Sequence, residues 1–160
     1  MAAPPPLRCA TLGESARLST SQVVLLASLP LWSIERDRLW IKLGESGLGI
    51  LLLQTLAEFS NVAIRKAGIP IDDIRATIDA WRAVLPVHAA EEGDLTAALD
   101  VVKAHRLGFW DAMLWTAAQR VGVRQLVTED LQDGFVLQDV RFVNPFERAN
   151  DRLIDEILPP

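Results

Sequence analysis

Cysteine is almost absent from this chain. The one residue, Cys9, has no partner for an internal disulfide, which suits a reducing compartment. It lies in an irregular segment with no histidine beside it, so it reads as an unpaired thiol rather than a nucleophile. No apolar run reaches the length that crosses a bilayer. Residues 23–32 come nearest to a signal-peptide core, but they start late and no small-x-small cleavage site follows, so the expected location is cytoplasmic. A broad basic surface for nucleic acid is missing too, because the formal net charge is −5. That balance leaves room for a local basic groove or an acidic cleft that works through metal ions. The phosphate-binding G-x-x-x-x-G-K-[ST] loop, the G-x-G-x-x-G fingerprint, the G-x-S-x-G elbow and the H-E-x-x-H helix are all lacking. His88 and His105 form no metal pair with each other or with Cys9.

What is present describes one globular domain. The chain has 160 residues, of which 50% are hydrophobic and 23% charged, which is enough to build a core. Residues 1–19 show no sustained period and read as an N-terminal extension. Short apolar runs at 22–28, 50–53, 123–128 and 141–143 read as strands, with a brief extended piece at 84–87. Helices are expected over 33–43, 55–67, from 70 to 81 or 83, from Asp94 to Arg106, and from 109 until Gly122. Residues 147–160 form a tail with a short helix. Strands alternating with helices of ten or more residues imply βαβ units and a parallel sheet, with ligand sites beyond the carboxyl ends of the strands.

Three carboxylates stand where such a site would be. Asp111 opens a helix whose Trp110, Leu114, Ala117 and Val121 recur at helical spacing and want burial. At that position a carboxylate either stabilises the helix terminus or belongs to an acidic site. Glu58 follows the second strand and fits a capping box with Thr55, which competes with a functional role. Asp130, with Glu129 beside it, sits where the 123–128 strand exits into a loop, an ordinary place for Asp. Gathered together, the three would repel one another unless a cation offset their charge, and an all-oxygen pocket suits Mg²⁺ or Mn²⁺. The five tryptophans, at 32, 40, 81, 110 and 115, read as core and helix-packing residues.

Leu56-Ala57-Glu58-Phe59, Phe109-Trp110-Asp111-Ala112, residues 126–134 and Val143-Asn144-Pro145-Phe146 follow in an order that resembles PIN domains, in particular the toxin ribonucleases of VapBC-type toxin–antitoxin pairs. The likeness covers residues 37–146. It implies a PIN-like three-layer α/β fold over residues 20–146, with a parallel sheet of about five strands and helices on both faces. It also implies a metal-dependent endoribonuclease in which Mg²⁺- or Mn²⁺-activated water hydrolyses RNA phosphodiester bonds. Glu58, Asp111 and Asp130 would be the catalytic and metal-binding residues. The implied partners are RNA, a small antitoxin protein and a second copy of the chain. Arg65, Lys66 and Arg106 would serve as a basic rim, or as plain solvated surface. The first strand departs from the family pattern, with Thr20 in the position of a ligand Asp and Gln22 in that of an Asn. Three accounts of this are open: a different start or reading frame, a degenerate copy, or another acid (Glu14, Glu35 or Asp37) folded into the site. The alternative function is a catalytically impaired PIN-fold binding module that sequesters antitoxin or forms mixed dimers.

Overall fold

The computed structural model describes residues 22–25 and 34–158, with side chains from Leu39 onward. Thr20, Cys9, Glu14 and Trp32 lie outside the described residues, as do the side chains of Glu35 and Asp37. The first strand, β1 (Gln22–Leu25), is followed by helix α1 (Ile34–Ser46). Strand β2 (Gly49–Leu52) then runs straight into α2 (Leu53–Val62), which widens into a π turn over Ala63–Ala67. Helix α3 (Ile71–Val84) and the two-residue β3 (Val87–His88) come next. Two helices, α4 (Glu92–His105) and α5 (Phe109–Arg120), pack on each other before β4 (Val123–Val127). Strands β5 (Val136–Leu137) and β6 (Val140–Val143) precede the short α6 (Asp151–Ile157).

The strands order as β3-β2-β1-β4-β6-β5. All neighbours pair in parallel except β5 and β6, which form an antiparallel hairpin, and β3 joins β2 through a ladder of its own. This corrects the expected PIN-like sheet of about five parallel strands: among the described residues there are six short strands, and the arrangement is mixed. The hairpin escaped notice because β5 is two residues long and its turn carries Gln138 at a φ of 52° rather than Gly or Asn.

Burial follows the alternation of side chains along each strand. Ile50, Leu52, Leu126 and Phe142 pack with α4 and α5 around Trp115. Leu51, Val127 and Val143, their immediate neighbours in sequence, pack the other way, with Leu39 and Leu43 of α1, Leu56 of α2 and Ile154 of α6. Both faces are therefore covered, which is why these strands read as continuous apolar runs. Gly49 starts β2 where the packing is tight. A Cβ there would stand 2.7 Å from Leu43 Cδ2 and 2.8 Å from Leu85 Cδ2. Helix α3 is held by Ile74 and by Trp81, which stacks on Trp40 with ring centroids 4.2 Å apart and meets Phe59 edge-on at 4.5 Å.

Two local expectations are corrected. The capping box at Thr55 and Glu58 does not form, because α2 begins at Leu53 directly from β2 and has no side-chain cap. A capping box forms instead at the start of α4, where Glu91 is the N-cap and Asp94 the reciprocal residue. Val84 ends α3 rather than beginning an extended piece.

Candidate functional site

Asp111 occupies the first turn of α5, whose N-cap is Gly108. Its carboxylate folds back over that cap, so closely that a Cβ on Gly108 would stand 2.7 Å from Asp111 Oδ2. The helix that carries it is anchored by Leu114, Trp115, Thr116, Ala117 and Ala118, all buried. Trp110 is not part of that buried face. It is 66% exposed, contrary to the helical-spacing expectation, and packs edge-on against Phe109. Leu114 and Ala117 of the expected stripe are buried against the sheet, together with Trp115, and Val121 packs against the same core.

Asp130 follows β4, past the buried Thr128. Thr128 donates its backbone N–H to the Val143 carbonyl (2.9 Å), and its Oγ1 accepts the Asp130 N–H (3.1 Å). The loop beyond is pinned from the other side, since Asp133 Oδ1 accepts from the Asn144 N–H at 2.8 Å and from Asn150 Nδ2 at 2.7 Å. Asp130 is thus an exposed carboxylate on a tethered loop rather than a free one.

Electrostatics ties these residues together. Burial, and secondarily the charge of Asp130, raise the Asp111 carboxyl above the ordinary aspartate value. The same two causes, in the same order, raise Glu129. The charge of Asp130 therefore reaches both Asp111 at the α5 start and Glu129 at the β4 exit.

Glu58 joins by a different route. Gln54 Nε2 donates to Glu58 Oε1 (2.8 Å) and to the Trp110 carbonyl (3.0 Å), which ties the first turn of α2 to the first turn of α5. Gln54 was missed in the sequence. The signal available was its i,i+4 spacing from Glu58; its reach to Trp110 is a tertiary contact. His88 ends β3 and His105 ends α4, and neither joins the carboxylates in a metal-holding group.

Among the described residues, no group of three or more His, Cys, Asp or Glu is placed to hold a metal ion. The expected ligand triad of Glu58, Asp111 and Asp130 is corrected accordingly: Asp130 couples to Asp111 and Glu129, while Glu58 is engaged by Gln54. No protein-family model matches the chain, and no curated protein matches it. The likeness to PIN domains is not sustained. The metal-dependent endoribonuclease, the toxin assignment and the alternative PIN-fold binding module fall with it, since they rested on that likeness and on a triad that does not assemble. Among the described residues, no helix is long and apolar enough to cross a membrane.

Proposed function

We propose that this protein binds a hard divalent cation, Mg²⁺ or Mn²⁺, through Asp111 and Asp130, and that the bound cation recruits an anionic ligand beyond the carboxyl end of β4. The supporting observation is the place of Asp111 in the first turn of α5, folded over Gly108, where burial and then the Asp130 charge raise its carboxyl above the ordinary aspartate value. Two carboxylates in that relation cost free energy when both are ionised, and a divalent cation between them turns the repulsion into attraction. Mg²⁺ asks for few protein ligands. It is commonly held by one or two carboxylates, and it keeps waters or takes ligand phosphate oxygens for the remaining positions. A pair therefore suffices where a triad is lacking. Glu129 adds negative potential beside the pair. Glu58, bonded by Gln54, which also reaches the Trp110 carbonyl beside Asp111, would contribute at most through a bridging water.

Calorimetric titration of the full chain with MgCl₂ and MnCl₂ tests it. Saturable binding is expected for the wild type, with loss of about tenfold or more in Asp111→Asn and in Asp130→Asn. Gly108→Ala supplies a third arm. Its new Cβ displaces the Asp111 carboxylate without removing it, so affinity should fall while the fold persists. Absence of binding by the folded wild type, or binding undiminished in Asp111→Asn, overturns the proposal.

A further inference from the structure

A second cluster of chemistry lies at the far end of α2, independent of the carboxylate pair. Asn61, Val62, Arg65 and Lys66 line an open cavity of about 250 Å³. The backbone is unusual here, because the helix leaves α geometry and closes as a π turn over Ala63–Ala67, ending on Gly68 at a φ of 60°. A π turn brings residue i+5 back over residue i, where an α turn brings i+4. Arg65 and Lys66, four and five residues beyond Asn61, share the lining of the cavity with Asn61 and Val62. Among the described residues, neither cation is in an ion pair. The positions one turn back, where a surface helix often places the acidic partner of a basic residue, hold Asn61 and Val62. The turn is closed by the Ala63 carbonyl, which accepts both the Gly68 N–H and the Ile69 N–H, the latter at 3.1 Å.

We infer that this π-turn cavity is a binding site for a phosphate-class oxyanion. The guanidinium of Arg65 offers a planar fork that matches two oxygens of a tetrahedral anion. Lys66 adds a mobile point charge, and the Asn61 amide adds two neutral donors. In a chain with a net charge of −5, two adjacent unpaired cations around a cavity form a local positive potential against an acidic background.

An NMR titration of the full chain reads the site directly. Inorganic phosphate is expected to shift the Asn61 side-chain amide and the Arg65 Nε–H saturably, while sodium chloride at matched ionic strength does not. Arg65→Gln should weaken the interaction at least tenfold, and Lys66→Gln should weaken it by a smaller factor. Arg65→Lys, which keeps the charge and removes the fork, should fall between wild type and Arg65→Gln. Methyl phosphate distinguishes the sources of the anion. Binding equal to that of phosphate assigns the site to the phosphoryl group of a larger ligand, and binding of inorganic phosphate alone assigns it to the free ion. Shifts that chloride reproduces, or that persist undiminished in Arg65→Gln, overturn the inference. Spectral dispersion of each variant shows that it remains folded. Because neither readout involves Asp111 or Asp130, failure here and failure of the cation site are separately visible.

Discussion

Asp111 titrates near 3.8 when the chain is unfolded, and folding raises that value through burial and the neighbouring Asp130. Between the unfolded and folded values the native state holds more protons than the unfolded state, so stability falls as pH rises through that interval. Above it the penalty is present in full. Asp111→Asn removes the ionisable group and with it the penalty. The variant should melt above the wild type at pH 7 in the absence of divalent cation, and the gap should close as pH is lowered towards 3.8. Thermal melts across pH 3–7 check this, and a gap that does not change with pH would separate the effect from ionisation. Saturating Mg²⁺ should narrow the gap at pH 7 from the other side, because only the wild type gains the ligand's binding free energy. At this scale the sequence located Asp111 and Asp130 on the right elements. It misjudged the company of Glu58, since that residue's partner is Gln54 and not the backbone of a helix cap.

Among the elements, the α4–α5 pair is joined at one end by Arg120. Its Nε donates to both carboxylate oxygens of Asp94, at 3.0 and 3.1 Å, while Nη1 reaches Glu91 at 2.8 Å and Nη2 the Ala89 carbonyl at 2.7 Å. The side chain of Asp94 is 5% exposed, so removal of Arg120 strands a buried charge. Arg120→Met should cost about 3 kcal/mol, the low end for a broken buried pair because Arg120 itself is partly solvated. Arg124 offers the contrast, since it pairs with Asp139 where both side chains are exposed. Arg124→Met should change stability by less than about 1 kcal/mol. Urea unfolding of the two variants compares them, and equal losses would mean that burial of Asp94 is not what the Arg120 contacts protect. Helix α5 was legible because Gly108 and Gly122 bracket its apolar stretch. The hairpin of β5 and β6 was not, because two residues are too few for a period and Gln138-Asp139 carries no turn signature.

Across the whole molecule, the sheet divides its side chains between two cores. Leu51 packs with α1 and α6, and Leu52 with α4 and α5, although the two are adjacent in β2 and both fully buried. Leu51→Ala and Leu52→Ala should each cost about 2–5 kcal/mol, as expected when a leucine is truncated in a packed interior. At this chain length each lost kcal/mol lowers Tm by about 2–4 °C. A sheet with one wet face would show one severe and one mild substitution, so calorimetric melting of the pair discriminates between the two arrangements.

Local pattern was enough to mark the longer strands and the helices of this chain, though not β5, because apolar runs broken by glycine and proline report burial on both faces whatever the global arrangement. Order along the chain also put acidic residues at the α5 start and the β4 exit. Only the tertiary structure decided the rest. Strand order, the antiparallel hairpin, the exposure of Trp110 and the link from Glu58 through Gln54 to the start of α5 all depend on contacts between residues distant in sequence. Helical spacing assigns a residue to a face, but what that face meets is set by the packing of neighbouring elements. The three carboxylates share an end of the sheet by topology, and a metal-binding triad would further require side-chain convergence, which the fold does not provide among the described residues.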